Sequence, residues 1–260
     1  MDLDWIAGIA GPAHGFAGAA ALTAAVLAML MPKGTRPHRL FGRLFFWALL
    51  VMFVAGMSFA FIRQHLFLML ALALAFYLAI SGYRALYLKR WTTNRFADLV
   101  YRPGPQDKGS AHFLLVVSAV MVAWVITDLA RQPLAIAMLL YGVVGVLLAL
   151  RDLRRFRQGD ADDDAWLFRH LWRMPASALA LVVAFAAANM PDWLDPWRWV
   201  VPAVLGSATI YLALEVYRRR LLVAGSVEAM VIVRIGPKSL DDELLDDEPP
   251  DDGPLDDGSL

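Results

Sequence analysis

The sequence contains no cysteine and few charged residues. Without thiols, the chain can form no disulfide and has no thiolate for a zinc site or an iron–sulfur cluster, and it has no cysteine nucleophile. Charged residues make up 18% of the chain and hydrophobic residues 59%. A soluble domain carries about 25% charged residues. The composition therefore favours a membrane domain.

Long runs without Asp, Glu, Lys or Arg recur along the chain. A helix that rises about 1.5 Å per residue needs roughly 20 apolar residues to cross a hydrocarbon core. The last two runs are short, and we expect the side chains that flank them to reach the headgroups. The pattern predicts an all-α fold, a polytopic transmembrane bundle of about seven helices. The runs are Trp5–Pro32, Leu44–Ile62, Gln64–Tyr83, Gly109–Thr127, Gln132–Leu150, Met174–Pro191 and Trp199–Leu214.

Lysine and arginine divide unevenly between the predicted loops. The loops after helices 1, 3, 5 and 7 hold 21 of the 24 basic residues, and the other loops hold only Arg63, Arg131 and Arg198. Cytoplasmic loops carry the excess of Lys and Arg in membrane proteins. This bias predicts an N-out/C-in orientation. Because Asp2 and Asp4 open the chain in place of a basic segment, we expect the first helix to be retained.

The charges predict three regions. Residues 1–220 form the seven-helix membrane domain, 221–240 a short cytoplasmic segment, and 241–260 an acidic tail with ten acids and no base. Such a tail cannot bury a core, so we expect it to be disordered and either solvated or in contact with a basic partner. The lipid bilayer is the main expected partner. The basic residues are spread over short loops beside the membrane, which disfavours nucleic-acid binding.

Histidines are the main candidates for chemistry, because few other polar groups lie within the predicted helices. The topology places His38, His112 and His170 at one depth, at the cytoplasmic ends of helices 2, 4 and 6. His14 and His65 lie near the outer ends of helices 1 and 3. Imidazole is a common ligand of metals and of haem iron. No HxxxH or HExxH motif puts two histidines on one helix face.

Three functions remain open from the residues. The first is a membrane redox protein that binds haem b through histidines drawn from His14, His38, His112 and His170. The second is a hydrolase or receptor-like bundle in which His38, His112 and His170 hold zinc or another divalent metal. The third is a non-enzymatic scaffold or a transporter. The metal hypothesis lacks a carboxylate inside the membrane, since we expect Asp98, Asp107 and Asp152 to lie in loops.

Five segments resemble, in order and spacing, a bacterial membrane family known as domain of unknown function 2306. They are the helix that carries His14, PHRLFGR at 37–43, FYLAISGYRALYLKR at 76–90, LALRDLRRFR at 148–157 and RHLWRM at 169–174. The resemblance covers roughly residues 10–190 and leaves out the acidic tail. It implies a multi-helix integral membrane protein of the bacterial inner (cytoplasmic) membrane and no particular activity.

Overall fold

The computed structural model describes residues 3–88, 103–127, 134–158 and 165–224. All regular structure in these ranges is helical, and seven of the helices are long and apolar enough to span a membrane. The predicted all-α fold with seven such helices is confirmed. They are α1 (Asp4–Leu30), α2 (Arg36–Arg63), α3 (Leu66–Tyr87), α4 (Pro105–Thr127), α5 (Ala135–Gln158), α6 (Ala165–Asn189) and α7 (Trp197–Ala224), with a 3-10 turn at Asp192–Leu194.

The helices extend beyond the charge-free runs. α5 continues for more than two turns past Leu150, and α4 begins before Gly109. Asp107 and Asp152, which we predicted in loops, therefore lie inside helices, and both are buried. The prediction was wrong because charge marks where apolar sequence ends, whereas a helix continues through Leu, Arg and Gln, which are good helix formers.

The chain divides into two compact units, Met1–Leu214 and Glu215–Leu260. The structure describes only the end of α7 from the second unit, where Arg219 Nε donates a hydrogen bond to Glu215 at 3.0 Å. The predicted tail at 241–260 and most of the predicted segment at 221–240 lie outside the described residues. The sections below concern the first unit.

Successive helices run antiparallel. Arg63 at the end of α2 pairs with Asp4 at the start of α1, and His38 at the start of α2 contacts Ala28 near the end of α1. α6 lies antiparallel to α3 in the same way, with Gly82 beside His170 and Ala75 beside Ser177. We call the end that holds Asp4 the N-terminal end of the bundle, and the end that holds His38 and His170 the far end.

Helix α3 is the centre of the bundle and contacts α2, α4, α5 and α6. Half of its residues are buried, including the unbroken run Leu70–Ala75. Several neighbouring helices approach each other through glycine, as small residues permit in membrane bundles. A Cβ on Gly145 would lie 2.2 Å from Ser118 Oγ, and one on Gly56 would lie 2.4 Å from His14 Nδ1.

The close contact at Gly56 predicts a large effect from one methyl group. In Gly56→Ala, the new Cβ would also lie 2.7 Å from Leu72 Cδ1, so the His14 ring or α3 must move. Overpacking of this kind costs about 1–3 kcal/mol. We expect the free energy of unfolding in detergent, measured by SDS titration, to fall by that amount.

Gly42→Ala is the matched control, because a Cβ on Gly42 of the same helix meets no atom within 4 Å. Removing a helical glycine in open space stabilises by up to about 1 kcal/mol. Equal stability of the two variants would contradict the packing at Gly56.

Candidate functional site

A large cavity lies toward the N-terminal end of the bundle. Its volume is about 970 Å³, and its wall comes from α1, α2, α3, α5 and α6. We call it the N-terminal cavity. Most of its lining is apolar, and its polar side chains are His14, Gln64, His65 and Asn189. Cofactor and ligand sites are clefts of about 300–1,000 Å³ with apolar walls and a few polar groups, so the cavity has the size and character of a ligand site.

His14 is fixed in the wall of this cavity by a bond to the neighbouring helix. Its Nδ1 lies 3.1 Å from the carbonyl oxygen of Met52. A carbonyl oxygen only accepts, so Nδ1 carries the hydrogen and the neutral ring keeps its lone pair on Nε2. Metal-binding histidines are held in this way, with the second ring nitrogen bonded to a carbonyl or carboxylate. The glycine at position 56 leaves the space that the ring occupies.

His65 lies in the same wall, at the connection between α2 and α3. Its ring stacks on Phe59, with centroids 5.7 Å apart and planes at 22°. Gln64 just before it adopts a left-handed backbone conformation, with φ at 56°, and ends α2. This two-residue connection brings His65 to the wall that His14 also lines, so the structure brings both histidines of the predicted outer pair to one cavity.

His38 and His170 meet at the far end of the bundle. Their ring centroids are 6.4 Å apart, with planes at 85°. Each Nδ1 faces a carbonyl oxygen of another helix, Ala28 at 2.9 Å for His38 and Gly82 at 3.1 Å for His170. Both rings line a second cavity, with a volume of about 80 Å³, which we call the far-end cavity.

His112 lines neither cavity. It is exposed, and its Nδ1 donates to the carbonyl oxygen of Lys108 in its own helix at 2.7 Å. The buried stripe of α4 runs through Asp107, Ala111, Leu114 and Ser118, and His112 lies about 100° round the helix from Ala111. The structure thus brings together two of the three predicted metal ligands. Within the described ranges, no group of three or more His, Cys, Asp or Glu side chains could hold a metal ion.

A buried ion pair and a tyrosine join three helices at the level of the far-end cavity. Arg173 Nη2 of α6 donates to Asp152 Oδ1 of α5 at 2.8 Å, and Tyr77 of α3 donates its hydroxyl hydrogen to Asp152 Oδ2. Asp152 and Arg173 are 1% and 2% exposed. Arg155 lies 3.8 Å from the same carboxylate. Ionisable groups within membrane helices are rare and pair with one another, so this network is a main structural constraint.

A second pair ties α3 to α4. Arg84 donates from Nε and Nη2 to the two carboxylate oxygens of Asp107, at 2.9 and 2.8 Å. The backbone N–H of Gly104 also donates to Asp107. Bidentate arginine–carboxylate pairs fix orientation as well as distance. α4 is therefore held to the central helix at its first turn.

The sequence contained a signal for Asp152 and Arg173 that charge-free runs cannot detect. The buried side of α5 runs through Met138, Tyr141, Gly145 and Ala149, and the next position in this helical spacing is Asp152. In α6, Arg173 stands four residues before the buried Ser177. Extending each apolar stripe at helical spacing, rather than stopping at the first charge, would have found both residues.

No family model matches the chain, and no curated protein or solved structure matches it. The resemblance to domain of unknown function 2306 therefore stays a prediction.

The buried pair predicts an asymmetric effect of mutation. Asp152→Asn leaves the charge of Arg173 buried without its carboxylate, and breaking a buried pair in this way costs about 3–5 kcal/mol. The double variant Asp152→Asn/Arg173→Met removes both charges, while the new amide oxygen still accepts from Tyr77. We expect it to be more stable than Asp152→Asn alone when unfolding is followed in detergent.

The exposed pair between Arg63 and Asp4 is the control. Its side chains are 48% and 69% exposed, and exposed pairs contribute about 0.2–1 kcal/mol. We expect Arg63→Gln to change stability by no more than that. A loss from Asp152→Asn as small as the loss from Arg63→Gln would contradict the structural role of the buried pair.

Proposed function

We propose that the chain is a multi-pass protein of the bacterial cytoplasmic membrane, with its N-terminus outside and its C-terminus in the cytoplasm. Its seven long apolar helices support insertion in a bilayer. The division of its basic residues, 21 against three, supports the orientation. In this orientation the N-terminal cavity faces the outer leaflet and the far end faces the cytoplasm.

We further propose that the protein binds b-type haem in the N-terminal cavity and serves as a membrane electron carrier. The observation that carries this proposal is a cavity of about 970 Å³, lined by two histidines in an otherwise mostly apolar wall. A haem needs a large apolar slot together with side-chain ligands for the iron, such as histidine. Gln64 and Asn189 add amide donors of the kind that propionate carboxylates accept.

His14 would be one of the two residues that hold the haem iron. Its Nδ1–H bond to the Met52 carbonyl at 3.1 Å fixes the tautomer that leaves Nε2 free to bind iron. The ring also packs closely against Gly56, where a Cβ would lie 2.4 Å from its Nδ1. A ligand whose orientation is set before the cofactor arrives loses little conformational freedom on binding.

His65 is the second ligand. It lies two residues after the end of α2 and stacks on Phe59, which lines the same cavity. With His14 and His65 both bound to it, the iron would have no position left for oxygen or substrate, and the chemistry that the haem would supply is one-electron transfer. When bound, the haem would supply the redox change, and the chain's residues would ligate, orient and enclose it.

The far-end histidines do not fit this role. Their cavity has a volume of about 80 Å³, whereas cofactor sites are clefts of about 300–1,000 Å³. That space admits an ion and excludes a porphyrin. Haem binding is therefore assigned to His14 and His65, without His38, His112 or His170.

The proposal predicts a coloured protein whose colour depends on His14 and His65. The full chain, expressed with ample haem and purified in detergent, should show a Soret band and sharp reduced α and β bands. We expect His14→Ala and His65→Ala each to lower haem content at least about tenfold, since the ligand bond is lost. His112→Ala should retain the wild-type content.

Filling the cavity provides a second variant that keeps both histidines. Gly15 lines the cavity, and a Cβ there meets no atom within 4 Å. Gly15→Leu should therefore exclude haem while α1 still packs. Gly8→Leu is the matched control, since Gly8 of the same helix is equally open and does not line this cavity. A colourless wild-type protein, or full haem content in Gly15→Leu and His14→Ala, would contradict the proposal.

A further inference from the structure

The far-end cavity combines two kinds of metal ligand. His38 and His170 line it together with two thioether side chains, Met29 and Met174. Its volume of about 80 Å³ suits a single ion. Within the described part of the chain, no carboxylate lines this cavity. Its available donors are therefore imidazole nitrogen and thioether sulfur.

The two imidazoles have the spacing of a pair that shares one ion. A metal–imidazole bond of about 2 Å and a ring radius of about 1.1 Å separate two opposed ring centroids by about 6 Å. The observed separation is 6.4 Å. Each ring can rotate about the nitrogen–metal–nitrogen line without moving its ligand nitrogen. The angle of 85° between the two ring planes is therefore compatible with opposed ligands.

In both rings Nδ1 is bonded to a backbone carbonyl, so the lone pair lies on Nε2. The Ala28 carbonyl accepts from Nδ1 of His38, and the Gly82 carbonyl accepts from Nδ1 of His170. In each neutral ring Nε2 is then the free ligand atom. The two anchoring carbonyls belong to different helices, α1 and α3, so the rings are oriented by separate walls of the bundle.

Met174 is the thioether that packs beside the carbonyl anchor of His170. It lies one helical turn after His170, and its Sδ would be 3.2 Å from a Cβ on Gly82, the residue whose carbonyl holds His170. Met29 is 44% exposed, whereas Met174 is half-buried. Thioether sulfur is a soft ligand that selects Cu(I), and imidazole also suits copper. We propose that His38, His170 and Met174 form a Cu(I) site.

The charge around the cavity decides between Cu(I) and a divalent ion. Lys33 also lines the cavity, with its Nζ donating to the carbonyl oxygens of Met29 at 2.9 Å and Ala28 at 3.4 Å. Repulsion between this ammonium and a bound ion scales with the charge of that ion. A monovalent ion is therefore opposed half as strongly as Zn²⁺, and among the described lining residues no carboxylate offsets the charge of a divalent ion.

The test is an anaerobic Cu(I) titration of the purified full chain, with bicinchoninate as the competing chelator. We expect one Cu(I) per chain. His38→Ala and His170→Ala should each weaken binding at least about tenfold. Loss of a residue that only orients a metal ligand already weakens binding by about that factor, and these two residues are ligands themselves. Met174→Leu conserves volume and should fold normally, yet it should also weaken binding. Met57→Leu, whose side chain lines neither cavity, and His112→Ala are the matched controls.

X-ray absorption at the copper edge provides a readout that a purely structural role would not change. We expect nitrogen and sulfur scatterers in the wild type and loss of the sulfur in Met174→Leu. The proposal is overturned if Met174→Leu keeps both its sulfur signal and its affinity. It is also overturned if the wild type binds Zn²⁺ more tightly than Cu(I), or binds no more Cu(I) than the His38→Ala/His170→Ala double variant.

Discussion

The contact between Arg173 and Asp152 is the constraint on which the rest of the bundle depends. Two opposite charges, 1% and 2% exposed, lie among apolar helices and are linked at 2.8 Å. Either charge alone would be costly there, so α5 and α6 must stay in register. Tyr77 on the other carboxylate oxygen brings α3 into the same arrangement. With these three helices fixed, His170 lies one turn from Arg173, beside Gly82, and the far-end cavity takes its shape.

The two cavities differ in a way that assigns different chemistry to similar ligands. In both, a histidine Nδ1 donates to a carbonyl oxygen of a neighbouring helix and leaves Nε2 free. What differs is the space: about 970 Å³ beside His14 and about 80 Å³ between His38 and His170. The first accommodates a macrocycle and the second only an ion. Glycine has a part in this difference, because Gly15 leaves the larger cavity open and Gly82 lets α6 approach α3 closely.

Much of the fold could be predicted from the sequence, because seven long apolar stretches impose seven helices. The depth of each histidine along the bundle also followed from the predicted topology, and the rings of His38 and His170 do lie side by side. The sequence alone did not reveal which helices are neighbours. α6 packs on α3 rather than beside α4, so His112 does not join the pair. Nor could the charge pattern show that Asp107 and Asp152 lie within helices, since a charge ends an apolar run even where the helix continues. The size of a cavity could not be predicted from the sequence either, because it depends on side chains from five helices.

The central claim is that His14 and His65 together hold a haem in the larger cavity. Low-temperature electron paramagnetic resonance of the oxidised, purified protein tests it most directly. If His14 and His65 hold the iron, we expect a low-spin ferric signal of the kind that two imidazole ligands give. A high-spin signal from iron with an open position, or a protein without haem iron, would contradict the claim.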